Sequence, residues 1–217
     1  MYSEFERISR LPPYVFAEVN KLKATERAQG RDVIDLGMGN PDKSTSNHIV
    51  QKLIEAVKNP KTHRYSVSRG ILGLRKAKTA YYKRRFHVDL DSEKEVLVTL
   101  GSKEGLANLA SAITSKGDII LVPNPSYPIH PYGFIIAGAR VKSMPVLDEI
   151  SFIKKLEYYI NKYKSKIKAL VINYPNNPTT KTVELSFPWY LIPPKFSPIS
   201  GIVLKDKTYI NENKEFD

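Results

Sequence analysis

Apolar residues recur along the chain at two alternating periods. Over 13–29, Val15, Val19 and Leu22 fall on one helical face and Gly30 follows as a stop. Val33–Leu36 is a short apolar run entering a Gly-Met-Gly turn and predicts a strand. Residues 47–58 place Ile49, Val50, Leu53, Ile54 and Val57 on one side, an amphipathic helix closed by Asn59-Pro60. Gly70–Phe86 predicts another helix, with lysines and arginines on its exposed side. Glu95–Leu100 predicts a strand that meets Gly101-Ser102 and a helix from Lys103 to about Thr114, ended by Gly117. Asp118–Val122 is a second buried strand, broken by Pro123-Asn124-Pro125. Tyr127–Gly138 predicts a helix, Arg140–Met144 a strand, 149–165 a helix and Lys168–Asn173 a further strand.

Strand-helix-strand units of this length need right-handed crossovers. They predict an α/β fold, three layers α/β/α with a mainly parallel sheet. Ligands in such sheets sit at the carboxyl ends of the strands. After Pro178 the pattern weakens. Prolines 188, 193, 194 and 198 stand where a crossover helix is expected, and each costs roughly 3 kcal/mol in a helix interior. No regular helix is expected there. Ile202–Leu204 reads as one last strand before a polar tail.

Composition narrows the function classes. The 217 residues contain no cysteine, which excludes disulfides, thiolate catalysis and sulfur-based metal clusters. No metal site is expected. No stretch approaches the roughly 20 apolar residues of a membrane span, and the N-terminus lacks the apolar core of a signal peptide. A cytoplasmic protein is expected. The net charge of +12 raises nucleic acid as a partner, but the lysines are scattered and no aromatic residues interleave with them at single-strand spacing. The densest run, Lys162–Lys168, ends a predicted helix, where cations suit the macrodipole. Neither nucleic acid nor membrane is the expected partner.

Four loops at strand ends carry candidate chemistry. Gly37-Met38-Gly39-Asn40-Pro41-Asp42 is either an ordinary turn or a backbone that approaches a ligand. Gly101-Ser102-Lys103-Glu104-Gly105 runs from strand into helix; its N–H groups suit a phosphate, or Ser102 is only an N-cap. Val122–Pro128 presents Tyr127, either for the core or for a planar ring. Asn173-Tyr174-Pro175-Asn176-Asn177-Pro178-Thr179 places asparagine before proline, where the chain is extended.

Taken in order, the phrases DLGMGNPD, HRYSVSRGILGLRKA, VTLGSKEGLANL, DIILVPNPSYPIHPYGFIIAGA and LVINYPNNPT resemble the class I/II aminotransferases, the fold type I enzymes that use pyridoxal 5′-phosphate (PLP). The resemblance is nearest the alanine/aspartate-type branch, and it covers residues 1 to about 183. It implies an incomplete fold type I large domain over 46–183. An N-terminal arm and helix of the small-domain side would occupy 1–45, and an irregular or degraded tail 184–217. It also implies roles. Gly39 would border the substrate carboxylate. Tyr65 would reach the cofactor phosphate of a partner subunit in a homodimer. Ser102 and Lys103 would bind the phosphate, largely through backbone N–H groups. Tyr127 would stack on the pyridine ring and Asn177 would hydrogen-bond its hydroxyl. Asp206 and Tyr209, at the spacing of the family's Asp-x-x-Tyr, would be cofactor-binding, the aspartate paired with the pyridine nitrogen, or else belong to a solvated tail.

The family's Schiff-base lysine and its carboxylate-binding arginine have no counterpart in these 217 residues. No residue is therefore assigned the catalytic role, and covalent cofactor binding is not expected. The ancestral reaction implied is amino transfer from an amino acid to a 2-oxo acid. The expectation for this polypeptide alone is inactivity, as a remnant of a degraded gene or as half of a split enzyme pairing with a separate C-terminal chain.

Overall fold

The structure is a computed structural model that describes residues 5–37 and 42–183, together with the backbone of 201–204. The chain divides into two compact units. The first comprises Met1–Leu11, Ala80–Leu90 and Val98–Asp217, and the second Pro12–Thr79 and Asp91–Leu97.

The first unit is built on a sheet of β1 (Ile119–Asn124), β2 (Arg140–Pro145), β3 (Ile167–Ile172) and β4 (Gly201–Leu204), in the order β2-β1-β3-β4. β1 pairs in parallel with β2 and with β3. β4 pairs antiparallel with β3, Gly201 opposite Ile172 and Leu204 opposite Ala169. The sheet is thus mainly parallel, and β4 runs back from the carboxyl ends of its neighbours.

Strand alternation sorts the core into two layers. Ile120 and Val122 of β1 join Phe134, Ala110, Ala139, Ala169 and Val171 beneath α5 (Ser102–Ile113) and α6 (Ile129–Ile136). Ile119 and Leu121 point the other way, to Met144, Phe152 and Tyr159 beneath α7 (Glu149–Tyr163). A strand buried on both faces reads as a continuous apolar run, which is what Ile119–Val122 is. The expected α/β/α layering is present in this unit. α7 starts where Asp148 accepts a hydrogen bond from the Ser151 N–H at 2.8 Å, an N-cap that satisfies a first-turn donor. At the N-terminus, Arg7 and Arg10 of the segment around α1 (Glu6–Ser9) donate to the carbonyls of Ile136 and Ala139, cations at the end of α6.

The second unit contains α2 (Val15–Ala28), α3 (Asn47–Lys58) and the first half of α4 (Leu72–Phe86). Its best-anchored side chain is Arg75, 6% exposed. Arg75 donates to the carbonyls of Gly70 and Ser92, at 3.2 and 2.6 Å, and to Glu93 at 3.0 Å. One guanidinium fork thus holds the 91–95 turn to the start of the helix.

Two expected strands are absent. Residues 33–36 and 96–99 have no regular secondary structure, Glu95 lies in a turn and Leu100 at a bend, and neither segment carries a ladder. Ile34, Leu36, Leu97 and Leu100 are exposed. A strand needs a hydrogen-bonded neighbour, and the described residues supply none for either segment. The amphipathic helix 47–58 forms at the expected bounds, but Ile49, Leu53 and Val57 of its apolar face also stay exposed. Smaller corrections are local: α4 begins at Leu72 rather than Gly70, and α6 at Ile129 rather than Tyr127.

Candidate cofactor site

The carboxyl ends of β1 and β3 are neighbours, so the loops that follow them meet. The loop after β1 presents Tyr127; the loop after β3 contains Asn173–Thr179. The two are joined directly, because Asn176 Nδ2 donates to the Pro125 carbonyl at 3.3 Å. Tyr127 is half-buried. The Lys103 ammonium lies 5.1 Å from its ring centroid, within cation–π range. His130 meets it edge-on, centroids 6.1 Å apart with planes at 77°. The start of α5 is thereby brought to the same corner as the β1 loop.

That helix start has the character of an anion seat. Its N-cap is Gly101, not Ser102, and no side chain caps it. Gly101 takes φ +88° and ψ 163°, a conformation essentially restricted to glycine. A Cβ there would meet nothing within 4 Å, so the requirement is conformational. The Ser102 N–H and hydroxyl thus stand at the head of a twelve-residue helix with the dipole behind them. Glu104 turns back to accept from the Leu100 N–H.

The loop after β3 is fixed from within. Asn176 is 1% exposed, and its Oδ1 accepts from the Thr179 N–H at 3.3 Å and the Thr179 hydroxyl at 2.7 Å. Its backbone N–H donates to Lys181 O and its carbonyl accepts from Thr180 N–H. Next in sequence, Asn177 is exposed, and its N–H donates to Asn173 Oδ1 at 3.3 Å.

Two titratable groups feel this environment. Burial holds the His130 imidazole below its ordinary 6.5, and its Nδ1 is buried without a hydrogen-bond partner. Burial, with Glu149 adding to it, pushes the Tyr174 phenol up from 10 to about 12.

Of the residues singled out in the sequence, Ser102, Lys103, Tyr127 and Asn177 belong to this corner of the first unit. Tyr65 lies in the second unit and is fully exposed. Gly39, Asp206 and Tyr209 lie outside the described residues. Asn176 and His130 went unnoticed in the sequence. An asparagine doublet before proline was the only signal for the first, and nothing marked the second. A shallow depression of about 520 Å³ on the α7 side, lined by Asn124, Ser143, Pro145, Ser151, Lys154 and Lys155, contains none of these residues. Among the described residues no cluster of three potential metal ligands occurs, and no helix is long and apolar enough to cross a membrane.

A seat for an anion at a helix start, an aromatic ring beside it and an amide-rich loop opposite fit a phosphorylated planar ring. The donor set is suited to PLP.

Comparison with known proteins gives the same reading. Residues 31–186 match the family model described as aminotransferase class I and II. AatC of Rhizobium meliloti is 55% identical over 184 residues, 85% of this chain and 45% of the relative. The glutamate-pyruvate aminotransferase AlaC of Escherichia coli is 50% identical over 183 residues, 84% of this chain and 44% of the relative. BacF of Bacillus subtilis superposes with a TM-score of 0.76 at 36% identity, covering 86% of this chain and 48% of BacF. The chain spans less than half the length of each of these proteins. On this sequence match and this fold, the chain belongs to the class I and II aminotransferases, a family of PLP-dependent enzymes.

Proposed function

We propose that this chain forms the cofactor-binding part of a PLP-dependent aminotransferase that moves an amino group from an amino acid to a 2-oxo acid. The observation that carries the proposal is the meeting of the α5 start, the Tyr127 loop and the Asn173–Thr179 loop at the carboxyl ends of β1 and β3. When bound, PLP supplies an electron-accepting ring. The N–H groups of Ser102 and Lys103 hold its phosphate, Tyr127 packs against its ring, and Asn177 donates to its hydroxyl. Asp206 is assigned to the ring nitrogen and Tyr209 to the cofactor on family resemblance alone, and Gly39 to the substrate carboxylate on the same ground. Tyr65, whose side chain is free of the fold around it, reaches the phosphate of a second subunit in a homodimer. The division at 1–45, 46–183 and 184–217 and a cytoplasmic setting belong to the same proposal.

The exposed apolar positions of α3 and of 95–100 favour one addition. These surfaces are covered by a polypeptide equivalent to the other half of the relatives, whether continuous with this chain or separate. Catalysis requires that half, because residues 1–217 offer no match for the family's covalently bound lysine. A remnant with no partner is the competing outcome.

The test is to purify residues 1–217, assay amino transfer between glutamate and pyruvate, and repeat it after adding the C-terminal half of AlaC. No turnover alone and turnover with the added half is expected. Turnover by the chain unaided, or stable absence of association between the two, contradicts the proposal.

A further inference from the structure

Asn176 is among the largest fully buried side chains of the described residues, and the most buried polar one. Its setting is unlike that of its neighbour Asn177, which faces solvent. A buried amide must have its donors and acceptor satisfied or lose stability. Asn176 does so by dividing its two ends between two loops. The oxygen stays at home, accepting from the Thr179 N–H and hydroxyl. The nitrogen crosses to the Pro125 carbonyl, 51 positions earlier in the chain. Pro125 lies two residues before Tyr127, and Asn176 lies one residue before Asn177. The backbone of Asn176 closes the same turn through Lys181 O and Thr180 N–H.

We infer that Asn176 is a positioning residue. Its amide fixes the distance between the Tyr127 ring and the Asn177 side chain, so that both engage one planar ring together. The inference rests on the cofactor reading of the site. A bound ring is gripped from two loops, and this amide ties one to the other. Stacking and a directed hydrogen bond both lose strength when their supports shift by about an ångström. Sequence position alone does not give this role, since either asparagine of the doublet could have faced the pocket.

The test uses the whole chain and pyridoxamine 5′-phosphate, which carries no aldehyde and cannot label surface lysines. Its dissociation constant is measured for the unaltered chain, N176D, N176S, T179V, Y127A and N177A, with Tm for each. N176D keeps the oxygen toward Thr179 and removes the donor to Pro125. N176S leaves a hydroxyl too short to cross, and serves if a buried carboxylate prevents folding. Loss of a buried hydrogen bond predicts binding about tenfold weaker for N176D or N176S. T179V breaks only the bonds inside the loop, so it lowers Tm and leaves affinity unchanged. In a Y127A background, N176S costs much less than it does alone, because the ring it positions is gone.

Affinity lost in parallel with Tm across N176S and T179V means a merely structural residue and overturns the inference. So does unaltered affinity in N176D and N176S when Y127A and N177A bind weakly. If Y127A and N177A bind as well as the unaltered chain, the cofactor reading itself fails. No binding by the unaltered chain overturns both.

Discussion

Gly101 does its work through a backbone angle. At φ +88° with open space around the missing side chain, substitution by alanine is a conformational penalty of about 1–3 kcal/mol with no clash. Because the strain falls at the head of α5, G101A is expected to lower Tm and also to weaken binding of inorganic phosphate. Thermal melts with and without phosphate check this; a lowered Tm with unchanged phosphate binding would separate the glycine from the anion seat. Two half-buried titrating groups give opposite signatures. Tyr174 is neutral in folded and unfolded chains below pH 10. Between 10 and about 12 the unfolded phenol ionises first, so its contribution to stability is lost as pH rises through that window. Y174F should flatten this part of the pH–Tm curve. His130 has a lowered pKa. Both states are neutral well above 6.5, and as pH falls below 6.5 the unfolded chain takes up the proton first. Stability therefore falls on acidification, and H130F should reduce the loss between pH 7 and 5. Equal slopes in variant and unaltered chain would show that neither burial is felt.

Among the elements, helices and fully buried strands were legible in the sequence because their signals are local. β1 reads as an unbroken apolar run and is buried on both faces. The helical period of α7 places Ile150, Phe152, Ile153, Leu156 and Ile160 inward; Phe152, Ile153 and Leu156 do pack there, but Ile150 and Ile160 stay exposed. F152A, which empties a fully buried site under α7, is expected to cost about 3–5 kcal/mol in urea unfolding; a cost near zero would mean that this layer is not packed. What the sequence could not show is pairing. Residues 33–36 and 95–100 have strand composition, yet a strand is a relation between two segments, and the described chain offers no partner to either. The direction of β4 was equally hidden, because Ile202–Leu204 reads the same in either orientation. In the candidate site, glycine, tyrosine and asparagine positions were visible as unusual loops at strand ends. Their convergence was not, since it depends on β1 and β3 being neighbours. The buried role of Arg75 was also missed: a basic residue on a Lys- and Arg-rich helix looks solvated until the carbonyls of Gly70 and Ser92 turn toward it.

At the scale of the molecule, the chain matches relatives more than twice the span it covers of them, and its apolar surfaces agree with that. Ile34, Leu36, Leu53, Val57 and Leu100 are exposed at 60% or more. Burial of apolar surface is worth about 25 cal/mol per Å², so a cover for these positions is a large stabilising contribution. Addition of the AlaC C-terminal half is expected to raise the Tm of this chain and to reduce its binding of a hydrophobic dye. The central claim, that the tips of β1 and β3 with the start of α5 grip a phosphorylated ring, is tested most directly by calorimetric titration of the unaltered chain. Pyridoxamine 5′-phosphate should bind saturably at one site per chain and be displaced by inorganic phosphate, while pyridoxamine without the phosphate should bind far more weakly. Equal binding of the two compounds, or binding that phosphate does not displace, would contradict the account.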